Sequence, residues 1–546
     1  MKKLLVCLIL IMVSCDKDDT NFEQPGPDPG NDFETNHKPL LYLIDYIKEN
    51  GKTIISWKFN ARYEAVKSVH IKSPSGEEIA EVSYPNDFYE LTSSYSDNEI
   101  VLQLENTQGK MHIENVLNLD RDQEYQQLQE NQPMQSVAIN STGTPYFHKN
   151  GETTPLNLYG ANYVRLRGQT SRLQGDHSTF EAATPSTGAD YNPYHAETLF
   201  RSLKSKGFNY VRVFLIGRSM VNPGISGSIS LNEPVYGPYM DNFIDFLKRA
   251  RKYGIYVYPT IGDGELPNNA YYRSRIPTNR DLGYLRLYFP FVKEAVDAKA
   301  EYLQAIVSYI KSFDATLINT LFAIELQNEY ALHADVWPFT QGSGSFESYW
   351  GETYDMADTA SRQKLADDAT IRYQNQMVEA LDLVAPDLLV GEGFFTMGAV
   401  GKNPEIALGL YPGNFADERY PPSFDVTSQS NIDFIDIHTY PESAGISMQS
   451  HFDQRMSTML EGTTSLNEIL AKKPIILGEF GAFYENEKGN DITTTANRMA
   501  DLAQVTMNSG FGGWCYWTFD TFEQKRIFNM VEENQEIMNA ISPIQN

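Results

Sequence analysis

Cysteine is almost absent. Cys7, Cys15 and Cys515 are the only three in 546 residues, too few and too scattered for a disulfide framework or a cysteine metal site. No His-Glu-x-x-His or other metal-ligand spacing occurs, so neither a catalytic metal nor any other cofactor is expected. A glycine-rich phosphate loop is also missing. The first strand of the long α/β region ends in Gly160-Ala161-Asn162, which is not G-x-G-x-x-G and argues against an open, doubly wound nucleotide-binding sheet. Positive charge is in deficit, with 44 Lys and Arg against 71 Asp and Glu for a net charge of −27. Such a surface repels a phosphate backbone and an anionic membrane face, so nucleic acid is not an expected partner and a neutral ligand is easier to accommodate.

What the chain does have is apolar and aromatic mass: 41% hydrophobic residues, 33 Tyr and 29 Phe, a composition that builds a sizeable globular core. At the N-terminus Lys2 and Lys3 precede an apolar run from Leu4 to Val13, too short to span a bilayer and shaped like a secretory signal. The run ends in Met12-Val13-Ser14-Cys15, which resembles a bacterial lipobox, and the resemblance implies that Cys15 is lipidated. Asp16, Asp18 and Asp19 follow, similar to the surface-export tag of many Bacteroidota lipoproteins. The implied location is the outer membrane, facing the exterior, with membrane contact only through the lipid. A plain secretory signal with a chance cysteine is the alternative.

Four segments follow from composition: a signal over 1–15, a linker over 16–38 centred on Pro25-Gly26-Pro27-Asp28-Pro29-Gly30, a small all-β unit over 39–125, and an α/β unit over 135–546. A Pro/Gly-rich acidic linker buries nothing and acts as a tether. In the all-β unit Leu41 to Tyr46 and Thr53 to Phe59 flank Asn50-Gly51, and Val69 to Lys72 and Ile79 to Val82 flank Ser73-Pro74-Ser75-Gly76; both are hairpin signals. Ile100 to Leu104 and Met111 to Val116 continue the series, and the spacing suggests an immunoglobulin-like sandwich. It would serve as a rigid spacer or a carbohydrate-binding module, with Trp57 in its core.

From about 135 onward apolar strands alternate with amphipathic helices, the pattern of a parallel α/β architecture. The strands predicted are Asn157 to Asn162, Tyr210 to Phe214, Ile255 to Thr260, Leu321 to Leu326, Leu388 to Gly391, Phe434 to His438, Ile475 to Gly478 and Gly513 to Thr518. Eight is the number that closes a (β/α)8 TIM barrel, with a hairpin around Asn150-Gly151 plugging its bottom. Catalytic residues in such a barrel project from the C-terminal strand ends. Strand four ends in Gln327-Asn328-Glu329 and strand seven in Gly478-Glu479-Phe480, which sets Glu329 and Glu479 on opposite sides of the mouth. Two carboxylates facing each other across a cleft are what glycosidic bond cleavage requires.

These motifs resemble clan A retaining glycoside hydrolases, and family 5, the cellulase and mannanase family, in particular, over roughly Phe147 to Asp520. The resemblance implies that Glu329 in Asn328-Glu329 is the acid/base and Glu479 the nucleophile. It implies substrate-binding roles for Arg212 after strand two, Asn328, His438 and Tyr440 in His438-Thr439-Tyr440, and Trp517 in Trp514-Cys515-Tyr516-Trp517. The implied activity is hydrolysis of a neutral β-linked polysaccharide or oligosaccharide of glucan or mannan type by double displacement. The family's usual His after strand three is not found here, and Asp263 stands near that place. Glu479 must stay ionised, with Arg212 and Tyr440 donating to it, whereas Glu329 must hold a proton. Asn328 faces the 2-hydroxyl and Trp517 offers a flat face to the sugar. Glu325 and Glu392 read as supporting groups; Tyr330, Trp337 and Trp350 line the cleft or pack the segment that carries them. A non-catalytic surface glycan-binding protein and a transglycosylase are the rivals. Cys515 lies in a strand with no evident base, which disfavours it as a nucleophile.

Overall fold

The computed structural model describes residues 41–59, 66–112, 115–120, 132–171, 174–182, 191–216, 224–262, 266–276, 288–334, 336–396, 399, 419–460, 464–524 and 527–544. The signal, Cys15, the linker and Asp263 lie outside them. The eight apolar runs form eight parallel strands: β1 (Leu158–Asn162), β2 (Tyr210–Phe214), β3 (Tyr256–Thr260), β4 (Ala323–Glu325), β5 (Leu389–Phe395), β6 (Phe434–His438), β7 (Ile475–Phe480) and β8 (Gly513–Tyr516). They close into a barrel in that order, with β8 returning to β1 through Leu158↔Gly513 and Tyr159↔Trp514. A strand covered on both faces needs an unbroken run of residues that tolerate burial; every residue of β2, β3 and β6 is buried.

Among the described residues, six helices of twelve residues or more form the outer layer: α1 (Pro193–Ser205), α2 (Gly237–Tyr253), α3 (Lys293–Phe313), α4 (Thr359–Asp382), α5 (Met448–Met459) and α6 (Ile492–Asn508). Asn192 caps α1 by accepting from the backbone N–H groups of Tyr194 and His195, and α2 stops at Gly254, whose φ of 65° suits glycine. Periodicity starts α4 at Ile371, but the helix begins at Thr359 because Asp358 accepts from the N–H groups of Ala360 and Ser361. Before Ile371 the helix buries Arg362, Leu365, Ala366, Ala369 and Thr370, with one large apolar residue among them, which is too little to print a helical period.

The barrel interior is layered. At the bottom Val137, Phe147, Leu158, Tyr210, Tyr256, Tyr258, Phe322, Phe434 and Ile476 form an apolar cluster. Its plug is a hairpin of Val137–Asn140 and Tyr146–Lys149 that turns at 141–145, and the chain turns back again at Asn150-Gly151, as expected, where His148 bridges Pro155 and the Leu156 N–H donates to the Phe147 carbonyl. Above this floor the inward residues turn charged, with Arg212, Glu325 and Asp436 fully buried. Two glycines make room for them. A Cβ on Gly393 would overlap the Glu325 carboxylate, and one on Gly478 would overlap that of Asp436.

Between barrel and helices lies another buried acid, Glu392 of β5, which accepts from Gln374 Nε2 of α4 at 2.5 Å. Burial pushes its carboxyl up to about 8, so at neutral pH it is protonated in the folded chain and ionised in the unfolded one. Stability from this group is therefore whole below about pH 4.5 and is lost as pH rises toward 8, by on the order of 3 kcal/mol at pH 7. Glu392→Gln should raise the thermal midpoint at pH 8 and leave it nearly unchanged at pH 5; equal shifts at both pH values would show that the acid is charged in the fold.

The N-terminal unit consists of two antiparallel sheets. One pairs Leu41–Glu49, Lys52–Phe59 and Phe88–Leu91; the other orders Glu78–Ser83, Val66–Lys72, Glu99–Asn106 and Asn115–Asn118. Trp57 is fully buried between them with Ile55, Val69, Ile71 and Leu102, as expected. The Asn50-Gly51 turn forms with both residues at positive φ. The last predicted strand, Met111 to Val116, is displaced to Asn115–Asn118, and Met111 makes only an isolated bridge to Glu105. The unit is docked on the barrel. Arg201 of α1 donates to Asp45 at 2.8 Å, Asn192 to Asp87 at 2.9 Å, and the His195 ring meets the Trp57 carbonyl at 2.8 Å.

Candidate active site

At the mouth of the barrel one guanidinium organises the site. Arg212, at the same register as Asn162 of β1, is fully buried and uses all five N–H donors. Nε and Nη2 grip Glu325 as a fork at 2.6 and 2.8 Å. Nη2 also donates to Asn328 Oδ1 at 2.9 Å, and Nη1 to Asn162 Oδ1 at 3.0 Å and Glu479 Oε1 at 2.5 Å. A planar fork between carboxylates is held far more rigidly than an ammonium would be. Tyr440 donates its hydroxyl to the other oxygen, Glu479 Oε2, at 2.7 Å.

Glu329 follows β4 and is 6% exposed. Its backbone has φ of 46°, the left-handed region that a residue with a Cβ rarely adopts and that is typically retained where function demands it. The His438 ring sits between the two glutamates, with Nδ1 at 3.2 Å from Glu329 Oε1 and 3.6 Å from Glu479 Oε2. Burial lowers this imidazole to about 4, so it is neutral at physiological pH, and its Nδ1 faces both carboxyl groups. One oxygen of Glu329, one of Glu479 and a His438 nitrogen lie within 4.8 Å of one another. A cation could bridge that spacing, but Arg212 already supplies the positive charge at Glu479.

The electrostatics divide the carboxyl groups. Burial pushes Glu479 above the ordinary carboxylate range, opposed by His438, Arg212 and the Tyr440 hydrogen bond. Asp436 is pushed well up by burial and then by the nearby Glu325 charge, and it accepts the Gly478 N–H at 2.7 Å. One guanidinium cannot balance three buried carboxylates, so Asp436 stands as the neutral acid of the set.

Trp517 is 6% exposed. It packs with Val164, Phe214 and Tyr440 and donates its indole N–H to Gln524 at 2.9 Å. All of Glu329, Glu479, Arg212, Asn328, His438, Tyr440 and Trp517 thus converge on one mouth. Tyr330 does not join them: it is buried, stacked on Tyr373 and paired with Thr370. Trp337 and Trp350 pack against Phe346 and Tyr354. Sequence reasoning passed over Asn162 and Asp436; an acid inside an otherwise apolar strand, Phe434-Ile435-Asp436-Ile437, was the available signal.

A closed parallel barrel with two glutamates meeting across its mouth is the frame of a barrel glycoside hydrolase. The sequence matches the family model Cellulase (glycosyl hydrolase family 5) over residues 170–522, and the chain belongs to that family. It is a glycoside hydrolase, and its substrate is a polysaccharide or oligosaccharide. Among solved structures the fold is similar to an endo-1,4-β-mannanase from Rhizomucor miehei, with 14% identity and TM-score 0.47 over 74% of this chain and 98% of that one. It is similar to a β-mannanase from the blue mussel Mytilus edulis, with 16% identity and TM-score 0.43 over 76% and 98% of the two chains. An exo-β-1,4-mannosidase from Opitutaceae bacterium strain TAV5 matches at 15% identity and TM-score 0.43 over 74% and 64%. No curated protein matches the chain.

Proposed function

We propose that the protein is a retaining hydrolase of a neutral β-linked glucan or mannan, acting by double displacement. The observation that carries the reading is the approach of Glu329 and Glu479, whose nearest oxygens lie within 4.8 Å. That favours direct attack over an interposed water, which needs carboxyl groups about 6.5–9.5 Å apart. Glu329 gives its proton to the glycosidic oxygen as the bond to the anomeric carbon breaks, and Glu479, oriented by Arg212 and Tyr440, attacks that carbon. Formation of the glycosyl ester removes the negative charge beside Glu329, which then takes a proton from water as the ester is hydrolysed. With Oδ1 of Asn328 engaged by Arg212, its Nδ2–H is the donor for the sugar 2-hydroxyl. Trp517 is the sugar platform.

The N-terminal sheets over 39–125 are read as an immunoglobulin-like sandwich, followed by the hydrolase barrel over 135–546. Cys15 is read as the lipidated residue of an outer-membrane lipoprotein facing the cell exterior, which would hold the cleft toward extracellular glycan.

The test is a product screen of the purified protein on neutral β-glucans and β-mannans, with NMR of the first-formed anomer. Retention is expected; a first product of inverted configuration would overturn double displacement. Glu329→Ala should slow hydrolysis of polysaccharide by about 10²–10⁴-fold while an aryl glycoside with an activated leaving group still forms the glycosyl-enzyme quickly. Equal losses on both substrates would remove Glu329 from the acid role.

A further inference from the structure

Strand β7 carries one residue more than its neighbours pair. Against β6 the register runs Ile437↔Leu477 and then His438↔Glu479, passing over Gly478. Against β8 it runs Leu477↔Trp514 and then Phe480↔Tyr516, three steps on β7 for two on its partner. The side chains show what this bulge does. Ile476 lies in the interior cluster, whereas Ile475, Leu477 and Phe480 lie in the cluster that holds Met499 and Leu502 of α6. Strict alternation from Ile475 would turn Gly478 inward, Glu479 outward into the helix layer and Phe480 inward. With the extra residue Phe480 stays outside, and Glu479 faces inward, where Arg212 and Tyr440 hold its carboxylate.

Side chains from inside the barrel hold the bulge. Gly478 is buried; its N–H donates to Asp436 Oδ1 at 2.7 Å, and its carbonyl accepts from Asn162 Nδ2 at 3.1 Å. Asn162 Oδ1 in turn accepts from Arg212 Nη1, the nitrogen that also donates to Glu479 Oε1. The Gly478 carbonyl and the Glu479 carboxylate are thus closed into one ring through Asn162 and Arg212. Asp436, fully buried on β6, anchors the other side of the same residue.

We propose that Asp436 is a positioning residue for the nucleophile: by accepting the Gly478 N–H it stabilises the β7 bulge that turns Glu479 into the mouth. The physical reason is that a bulge takes a residue out of the regular ladder, and a buried N–H so displaced needs an acceptor from elsewhere. A carboxyl on the adjacent strand supplies it. Without Asp436, Gly478 regains an acceptor by sliding back toward the ladder, which draws Glu479 away from Arg212 and Tyr440. The inference rests on the reading of Glu479 as the nucleophile.

The test isolates the attack of Glu479. A 2,4-dinitrophenyl 2-deoxy-2-fluoro-β-cellobioside or -β-mannobioside forms the glycosyl-enzyme without acid catalysis and lets it accumulate, so the rate of inactivation reads the nucleophile alone. Whichever glycoside labels the wild type is used throughout, and mass spectrometry of a digest locates the label. Asp436→Ala should lower the first-order inactivation constant at least about tenfold, with the inactivator's dissociation constant within about twofold of wild type, because a small displacement of an attacking group slows attack while the sugar contacts remain. Asp436→Asn presents an oxygen at the same place and should restore most of that rate. A merely structural role would lower the unfolding midpoint and leave the inactivation constant alone. A smaller loss in Asp436→Ala, or an Asp436→Asn protein as slow as Asp436→Ala, would overturn the proposal. If Asp436→Ala does not melt cooperatively, Asp436→Ser, whose oxygen stops one bond short of the Gly478 N–H, takes its place with the same expectation. A wild-type label on a residue other than Glu479, or no label from either glycoside, would mean that the nucleophile reading has failed first and the positioning role with it.

Discussion

Glu479→Ala should lose at least about 10³-fold in turnover, since removing a covalent nucleophile takes away the intermediate and leaves only positioning and acid catalysis. The neighbouring groups make the result diagnostic. Arg212 and Tyr440 each hold one oxygen of this carboxylate, so the truncated side chain leaves an anion-sized space lined by a cation and a hydroxyl. Azide should enter that space, attack the anomeric carbon and release a glycosyl azide of inverted configuration, with Glu329 still protonating the leaving group. The measurement is turnover with and without azide, with NMR of the product. Wild-type activity in the variant would end the nucleophile assignment, and rescue with retained configuration would place the attacking group elsewhere.

Arg212→Met should be the most destabilising single change at the site, by about 3–5 kcal/mol, because it strips the cation from buried carboxylates. Glu325 and Glu479 are 0% and 2% exposed as side chains, so water cannot take over from the guanidinium. Denaturant titration would read the loss. The pair Arg212→Met with Glu325→Met should recover much of that stability, since an ion pair replaced as a unit by apolar groups of similar size is often neutral, yet it should stay inactive because Glu479 and Asn328 have lost their orienting donor. A single variant with the wild-type unfolding midpoint would show that the network is held by other contacts.

How much of this was readable beforehand depends on which faces of each element are buried. β2 and β6 were bounded correctly from sequence because both their faces are covered, and continuous burial prints a continuous apolar run. β5 was cut short at Gly391, yet it runs to Phe395. Its second glycine, Gly393, is there to clear the Glu325 carboxylate, a reason that exists only once the barrel is closed. The strand Phe88–Leu91 was missed because only Leu91 in it is buried, so no alternation marks it. Glu329, Glu479, Arg212, His438, Tyr440 and Trp517 could be read as a set since each lies within a barrel strand or just past its end and their order fits one reaction. Asn162 could not, because its partners lie on other strands at distances in sequence that no local pattern spans, and Asp436 was marked only as an acid within an otherwise apolar strand.

Those glycines have a bearing on how such a barrel can change over time. Gly478 and Asp436 occupy one volume between them, as do Gly393 and Glu325. Enlarging either glycine first produces overlap with a buried carboxyl, which the packed interior cannot absorb. Shrinking the acid first leaves a void, and for Asp436 it also leaves the Gly478 N–H without its acceptor, a loss that a stable chain can survive. The floor of this cleft is thus open to remodelling in one direction only: the acid has to go before the glycine can.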